Sequence, residues 1–355
     1  MSDYDKKIQQ WRDKGFCVVS GLIEPTLMEK CTKLLQDRWD TTEKCGKDFG
    51  SNGEFEFPCG AITDHLTVDE NLISFVRKLL QTEDITLTQS DAWSKAGQPA
   101  SLSYETTAQN EIITSTYSKT AAFREIKAKM SQEYWGKHGN IYSNQDQRIH
   151  MDYGNHTFLH PREWHTPDTV AAIVYFHDTS KCGGGTAVVP RSGDDDPLYK
   201  PPYTSMPGYG GFQFFNSKAA AEDYFRSSNP EVAMFREHLY EREVIPHYKQ
   251  GDILFYRLDT WHRGTPLKEG GIRAVQSLAW RRTDCPWYNT WNPGLSRKMY
   301  YGPIEKFFAE ISPSQRASIG VPLPGHSYWT HYTIEMLKAR YPGIDVQPYL
   351  AKLKK

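Results

Sequence analysis

Cysteine is scarce in this sequence, and no two cysteines lie close together. Six of the 355 residues are cysteine, and none forms a CxxC pair. A disulfide framework is typical of short, cysteine-dense secreted chains, whereas scattered cysteines are typical of reduced thiols. We therefore expect six free thiols in a cytoplasmic protein.

The sequence also lacks the patterns of a membrane or nucleic-acid protein. The formal net charge is −1, and the one short basic cluster is Lys352, Lys354 and Lys355 at the C-terminus. No apolar run approaches the length of a membrane span, and the acidic, polar start of the chain does not fit a signal peptide. We expect a small-molecule substrate, with neither nucleic acid nor a membrane as a partner.

What the sequence does contain, in its first third, is mainly helical periodicity. Apolar residues at helical spacing predict helices over residues 3–14, 26–39, 69–81 and 121–134. Gly15 is predicted to end the first helix, because glycine takes the left-handed backbone at low cost. Residues 16–19 and 84–93 are predicted strands.

Short strands dominate the middle of the chain. The apolar run 170–176 is typical of a strand buried on both faces. Further strands are predicted at 186–190, 244–246, 253–257 and 273–280, with one or two helices at 217–241. Such a pattern indicates a barrel or sandwich with flanking helices. Without a linker between two cores, we expect a single domain over 1–355: a helical flank (about 1–135), a core (about 140–285) and a helical tail (about 300–355).

The chemistry centres on the segment Arg148–Tyr153. His150 and Asp152 stand two apart, so on a strand both side chains point to one face. Far along the chain, His262 follows another apolar strand. Two histidines and one carboxylate, with open coordination positions, suit a non-haem Fe(II) that also binds a cosubstrate and O2. The alternative is a surface strand, since His-x-Asp alone is common by chance.

Arg273 adds a second element to this site. It stands 11 residues after His262, on the next predicted strand. The planar guanidinium group can make two parallel bonds to a carboxylate. If 2-oxoglutarate chelated iron through its C1 carboxylate and 2-oxo group, its C5 carboxylate would need such a partner.

Four segments resemble the phytanoyl-CoA dioxygenase-like family of Fe(II)/2-oxoglutarate oxygenases. They are DKGFCVVSGLI near the N-terminus, HMD at 150–152, YFHDTSKCGGGTAVVPRSG at 175–193 and GDILFYRLDTWHRGTPLKEGGIRAVQSLAWR at 251–281. The resemblance implies a mainly β (α+β) fold with a double-stranded β-helix core, also called jelly-roll or cupin-like. It also implies that His150, Asp152 and His262 are catalytic iron ligands, and that Arg273 anchors 2-oxoglutarate.

One departure from the family concerns Pro190, which the family usually follows with Gly-Ser-His. Here Arg191, Ser192 and Gly193 follow it. In relatives this loop lies near the mouth of the active site, so Arg191 is a candidate substrate residue, with an ordinary surface arginine as the alternative. Two loop residues after the His-x-Asp motif are further substrate candidates, and three polar residues are candidate cosubstrate contacts. The former are Trp164 and His165, and the latter are Thr265, Tyr142 and Asn144.

Asp152 also bears on the type of reaction. Related iron halogenases carry a small residue in place of this carboxylate, which frees a position for chloride. The sequence therefore predicts a dioxygenase that hydroxylates, or otherwise oxidises, a C–H bond of a small organic substrate, with succinate and CO2 as co-products. The alternatives are a protein or peptide hydroxylase, a cupin-like metal enzyme without 2-oxoglutarate, and a metal-free binding module.

Overall fold

The computed structural model describes the larger part of the chain. The described residues are 2–45, 55–57, 59–97, 146–153, 157, 159–200, 215–285, 308–309, 312–313, 316 and 321–353. Within them the chain forms a mixed α/β fold with antiparallel sheets. The predicted helix at 121–134 lies outside the described residues.

Most of the predicted elements are present, within one to three residues of their expected ends. The helices are α1 (Asp3–Lys14), α2 (Pro25–Arg38), α3 (Ile62–Thr67), α4 (Glu70–Leu80), α5 (Thr179–Cys182), α6 (Lys218–Ser228), α7 (Pro230–Arg242), α8 (His331–Arg340) and α9 (Gln347–Leu350), with a 3-10 turn at Pro197–Tyr199. The strands are β1 (Phe16–Val19), β2 (Phe55–Glu56), β3 (Ile85–Ala96), β4 (Thr169–Tyr175), β5 (Thr186–Val188), β6 (Ile253–Tyr256), β7 (His262–Gly264) and β8 (Ile272–Arg282).

Six of these strands form the major sheet, in the order β1-β6-β4-β8-β3-β2 with antiparallel neighbours. The first three strands therefore complete a sheet whose centre comes from much later in the chain. The minor sheet pairs β5 with β7. Isolated bridges extend it, by Val244 beyond β5 and by His150 beyond β7. The described strands thus lie in two antiparallel layers, and the double-stranded β-helix itself stays a prediction.

The first helix shows how closely the N-terminal segment is fitted to the sheets. A capping box between Ser2 and Asp5 begins α1, and Gly15 ends it at φ 87°, as predicted. A Cβ at Gly15 would lie 2.5 Å from the Thr260 hydroxyl and 2.9 Å from the Trp164 ring. Any other residue here would suffer both backbone strain and a steric clash.

The two faces of the major sheet differ in chemistry. One face, here called the helix-covered face, is apolar and packs against α1, α2 and α4; it includes Val170, Ala172, Val174, Phe255, Ala274 and Leu278. Because strand side chains alternate, their chain neighbours point the other way. Those neighbours form the opposite face, here called the tyrosine face, defined by Trp93, Tyr175, Tyr256, Arg273 and Ser277.

The minor sheet is joined to the tyrosine face by hydrogen bonds. The Tyr256 hydroxyl donates to the Asp152 carboxylate, and the hydroxyls of Tyr175 and Thr186 are 2.7 Å apart. Polar side chains therefore occupy the interface where the predicted site residues meet.

All six cysteines are free thiols, as expected from their scattered positions. In the parts of the chain that the structure describes, no helix is long and apolar enough to cross a membrane.

Candidate metal centre

The backbone brings His150 and His262 directly opposite each other. The N–H group of His150 donates to the carbonyl of His262 at 2.9 Å, and the N–H group of His262 donates back at 2.8 Å. A reciprocal pair of this kind aligns two residues across an antiparallel ladder, so their side chains leave on the same side. The imidazole centroids are accordingly 4.4 Å apart.

Asp152 completes the cluster from the same face as His150. Its Oδ1 lies 3.4 Å from Nε2 of His150, and its Oδ2 lies 3.2 Å from Nε2 of His262. Its backbone N–H donates to the Leu258 carbonyl at 2.9 Å, which fixes the turn after the motif. One ligand atom from each of the three residues lies within 4.8 Å of the others, and among the described residues this is the one such cluster of three.

Hydrogen bonds orient both imidazole rings. Nδ1 of His150 is 3.0 Å from the Arg148 carbonyl, and Nδ1 of His262 is 2.9 Å from the Thr260 carbonyl. A carbonyl oxygen only accepts, so each Nδ1 is the donor in its bond, and each Nε2 faces the Asp152 carboxylate. A ring held through Nδ1–H by a carbonyl, with Nε2 directed at the cluster, is the arrangement that metal-binding histidines use.

The charges of the cluster suit a cation. Burial lowers the pKa of His150 to about 4, and the nearby Arg148 cation acts in the same direction, so the ring is neutral. Burial by itself would raise the pKa of Asp152, but His262 and the hydrogen bonds from both rings outweigh it, and that pKa lies well below its usual value. Two imidazoles and one carboxylate are a donor set that Fe(II) accepts.

The three side chains of the centre differ in their exposure to solvent. The side chains of His150 and Asp152 keep 12% and 15% of their exposure, whereas His262 keeps 6%. His150 and Asp152 are thus the more accessible members of the centre.

Helices α6 and α7 hold the segment that carries His150. The Tyr240 hydroxyl accepts from the N–H group of Ile149 at 3.0 Å and donates to Glu222 at 2.7 Å. Arg236, fully buried and paired with Glu222 at 2.8 Å, donates to the Ile149 carbonyl at 3.0 Å. Both backbone polar groups of Ile149 are thus bound by one network, here called the Tyr240 clamp (Glu222, Arg236 and Tyr240).

The same tyrosine contacts the strand that carries His262. Arg263 pairs with Glu243 through two bonds of 2.7 and 2.8 Å, and it also binds Asp146. Its guanidinium carbon lies 5.6 Å from the centroid of the Tyr240 ring. The residues next to both histidines are therefore anchored at Tyr240.

Arg273 lies on the tyrosine face as a buried cation. It is 3% exposed, its guanidinium carbon is 5.1 Å from the Trp93 ring centroid, and its Nη1 donates to the Gly184 carbonyl. Its Nε is buried without a hydrogen-bond partner among the described residues, none of which places a carboxylate within ion-pair distance. Burial lowers the pKa of Arg273, and the opposing effects of Tyr175, Cys182 and Tyr248 do not offset it. A bound carboxylate would satisfy both the charge and the free donor.

Two tyrosine side chains, Tyr175 and Tyr248, lie near Arg273. The rings of Tyr175 and Tyr248 stack with centroids 4.1 Å apart, and the Tyr248 hydroxyl donates to the Thr186 carbonyl at 2.7 Å. The predicted cosubstrate residue Thr265 donates its hydroxyl proton to the Gly185 carbonyl at 2.6 Å, so it can only accept from a further ligand. Tyr142 and Asn144, also predicted here, lie outside the described residues.

The three predicted substrate residues lie in different surroundings. Trp164 packs between two guanidinium groups, with Arg257 at 3.9 Å and Arg191 at 4.6 Å from its ring centroid, and its Nε1 donates to the Arg12 carbonyl. Arg191 is buried and pairs with Asp194 at 2.9 Å, while His165 is exposed. The contacts of Trp164 and Arg191 join parts of the protein to each other, and a role toward substrate stays a prediction for all three residues.

Sequence reasoning missed Tyr256. Its hydroxyl donates to Oδ2 of Asp152 at 2.8 Å, and its ring centroid lies 4.6 Å from that of His262. The signal in the sequence was faint: a polar hydroxyl on the last residue of the apolar run 253–256, six residues before His262.

No family model and no curated protein matches this sequence. Several solved structures are similar over most of their length. The non-heme alpha-ketoglutarate-dependent carbocyclase SnoK from nogalamycin biosynthesis is 12% identical with a TM-score of 0.46, covering 84% of this chain and 90% of SnoK. HygX from Streptomyces hygroscopicus, with nickel and 2-oxoglutarate bound, is 11% identical with a TM-score of 0.45, covering 82% and 90%. EctD from S. alaskensis is 11% identical with a TM-score of 0.46, covering 82% and 81%. At such values the similarity assigns no residue and no substrate, so the functional argument depends on the geometry of the site.

Proposed function

We propose that this protein is an Fe(II)- and 2-oxoglutarate-dependent dioxygenase that oxidises a C–H bond of a small organic substrate. This proposal depends on two features that lie between the minor sheet and the tyrosine face. A preset cluster of two histidines and an aspartate lies beside the tyrosine face, and on that face a buried arginine has an unused donor. The first feature suits Fe(II), and the second suits the far carboxylate of a dicarboxylic cosubstrate.

Each residue then has a defined task. His150, Asp152 and His262 would hold the iron, and Arg273 would bind the C5 carboxylate of 2-oxoglutarate. Bound Fe(II) with 2-oxoglutarate and O2 would supply the oxidation, with succinate and CO2 as co-products. The buried walls of the interface would limit water at the centre, and the exposed edge at His150 and Asp152 would admit the substrate.

Asp152 favours oxygen insertion or desaturation over halogenation. Its carboxylate occupies a coordination position and supplies a negative charge, so chloride has neither the place nor the charge balance to bind. In high chloride the wild-type protein should give a product with one more oxygen atom or two fewer hydrogen atoms, as read by mass spectrometry. A chlorinated product would contradict the assignment of Asp152 as a ligand.

The proposal extends to the architecture. The two antiparallel layers, with helices on the outer face of the major sheet, support a double-stranded β-helix core within a single domain. They also support membership of the phytanoyl-CoA dioxygenase-like family, whose motif residues meet at this centre.

The first experiment needs no substrate, because oxygenases of this type consume 2-oxoglutarate slowly on their own. Purified protein is supplied with Fe(II), ascorbate, O2 and 2-oxoglutarate, and succinate is measured. We expect succinate from the wild type and none from His150→Ala or His262→Ala. His238→Ala is the matched control, because His238 is an exposed histidine on α7 and should have no effect.

The alternatives give different results in the same assay. Metal binding without succinate, and without binding of N-oxalylglycine (an inert analogue of 2-oxoglutarate), would indicate a metal enzyme of another kind. If the wild-type protein bound no metal at all, it would be a metal-free binding module. Once succinate is seen, a thermal-shift screen with Mn(II) and N-oxalylglycine can separate metabolites from peptides as substrates.

A further inference from the structure

Tyr256 is held rigidly beside the metal centre. It lies on β6, where it pairs with Phe16 of β1 on one side and with Ala171 of β4 on the other. The residue is 5% exposed, and its ring packs against His262 with centroids 4.6 Å apart. The strand pairing and the packing of the ring therefore fix the position of the hydroxyl group.

That hydroxyl binds one particular oxygen of Asp152. It donates to Oδ2 at 2.8 Å, and this oxygen lies 3.2 Å from Nε2 of His262, while Oδ1 lies 3.4 Å from Nε2 of His150 and receives no bond from Tyr256. An aspartate can offer a metal ion either one carboxylate oxygen or both. A hydrogen bond to Oδ2 uses one of its lone pairs and resists rotation of the carboxylate about its last side-chain bond, so the two oxygens of Asp152 are no longer equivalent.

We propose that Tyr256 is a positioning residue that restricts Asp152 to a single metal-binding oxygen, and thereby keeps a coordination position open for the cosubstrate. The inference rests on the proposed function and goes one step further, from which residues bind the ion to how many positions they occupy.

The restriction of Asp152 to one oxygen matters because the metal ion has a limited number of coordination positions. An octahedral ion held by two histidines and one aspartate oxygen has three positions left, which bidentate 2-oxoglutarate and O2 would fill. If Asp152 used both oxygens, one of these positions would be lost. The ion would be bound at least as tightly, while the cosubstrate would be bound less tightly. The two affinities should therefore change in opposite directions when the hydroxyl is removed.

Tyr256→Phe tests this prediction, because it removes the hydroxyl and keeps the ring. Tyr328→Phe is the matched control: Tyr328 is also buried, at 1% exposure, and its hydroxyl donates to the His160 carbonyl, away from the ligands. Co(II) replaces iron, since its visible absorption reports coordination number without any turnover. The measurements are Co(II) affinity by calorimetry, the Co(II) spectrum, and the affinity of the Co(II)-loaded protein for N-oxalylglycine.

For Tyr256→Phe we expect Co(II) affinity unchanged or higher, a changed Co(II) spectrum, and N-oxalylglycine affinity lower by about tenfold, the low end for loss of a hydrogen bond to a charged group. Tyr328→Phe should leave all three values as in the wild type. A merely structural role for Tyr256 would lower Co(II) affinity and leave the spectrum unchanged, and that result would overturn the inference.

The failure of the proposed function is distinguishable from this. If wild-type Co(II) protein did not bind N-oxalylglycine, the 2-oxoglutarate proposal would fail, while the Co(II) spectra of the two variants would still decide whether Tyr256 controls Asp152. If the wild type bound no Co(II), both would be wrong.

Discussion

Phe255 and Tyr256 are neighbours on β6, yet they belong to two different environments. Phe255 lies on the helix-covered face, where its ring centroid is 4.8 Å from that of Phe75 on α4. Tyr256 lies on the tyrosine face and binds Asp152. One strand thus serves an apolar layer on one side and a polar site on the other. The comparison suggests that stability comes mainly from the first face, so the second can carry groups that are costly to bury.

On the tyrosine face, the group that is costly to bury is a cation. Apolar burial stabilises a fold by about 25 cal/mol per Å². By contrast, a buried cation without a counter-charge lowers stability. Arg273 is such a cation among the described residues, whereas Arg257, equally buried, is paired with Asp259 at 2.8 Å. The two faces should therefore respond to substitution in different ways, as four tests can show.

The largest effect should follow from Phe255→Ala. It removes a fully buried aromatic ring, and such a change costs about 3–5 kcal/mol in the free energy of unfolding. Urea titration measures this loss, with Tyr256→Phe as the companion variant that should lose less, about 1.5 kcal/mol, the low end for a hydrogen bond to a charged group. Equal losses for the two variants would remove the distinction between the faces.

Arg273→Met should weaken cosubstrate binding without weakening the fold. Loss of one partner from a buried charge pair costs about 2–5 kcal/mol of binding, so N-oxalylglycine should bind at least thirtyfold more weakly to the metal-loaded protein. Metal affinity should be unchanged, and the ligand-free protein should be as stable as the wild type or more so. Arg257→Met is the control, since it leaves Asp259 unpaired and should destabilise by about 3–5 kcal/mol. A large loss of stability in Arg273→Met would mean that Arg273 already has a counter-charge within the protein.

Acid should act through His160, which is buried beside the Tyr153 ring. Burial lowers the pKa of His160 to about 4, although the Asp259 carboxylate acts in the opposite direction. The unfolded state, with a pKa near 6.5, therefore binds the proton first. The contribution of the neutral ring to stability is complete above about pH 6.5 and is lost as the pH falls through about 4. Between those values stability should fall by up to about 1.4 kcal/mol per pH unit from this residue.

The variant His160→Asn isolates that contribution, because the amide can replace the ring N–H that donates to the Pro161 carbonyl. The measurement is the difference in unfolding free energy between wild type and variant at several pH values from 7 to 4. We expect the variant to lose less stability on acidification. Parallel curves for the two proteins would show that His160 titrates alike in the folded and unfolded states.

The smallest effect should come from the Tyr240 clamp. Tyr240→Phe removes one hydrogen bond to the Ile149 N–H group and one to Glu222, and we expect a loss of about 1–2 kcal/mol in stability. Co(II) affinity should fall as well, because the strand before His150 is held less firmly. Tyr328→Phe again serves as the control, with loss of stability alone. An unchanged Co(II) affinity would limit the clamp to a role in folding.

Local patterns in the sequence were sufficient for part of this picture. Strand alternation placed His150 and Asp152 on one face, and the structure brings them together with His262. The end of α1 at Gly15 followed from the backbone preference of glycine. One or two helices were predicted over 217–241, and the structure has two, with Asn229 capping both. In each case the cause lies within a few residues of its effect.

The rest depended on contacts between distant parts of the chain. Tyr256 and Asp152 are 104 residues apart, and Tyr240 and Ile149 are 91 apart, so these bonds follow from strand register and helix docking. Trp164 was predicted to lie at a substrate entrance; its stacking on Arg257 depends on the same long-range packing. The periodicity of a sequence predicts which face of a strand or helix a side chain occupies. It does not predict which distant side chain will contact that face.

The two bonds from Nδ1–H groups to the Arg148 and Thr260 carbonyls have a kinetic consequence. Both rings are oriented by the backbone before any ion arrives, so loading requires no folding step and little ordering of side chains. An ion should therefore enter and leave the native protein at rates set by its own dehydration and by its path past the exposed edge of Asp152. Chelators should strip the centre at a rate that is insensitive to mild denaturant, and the emptied protein should accept a different divalent metal without refolding.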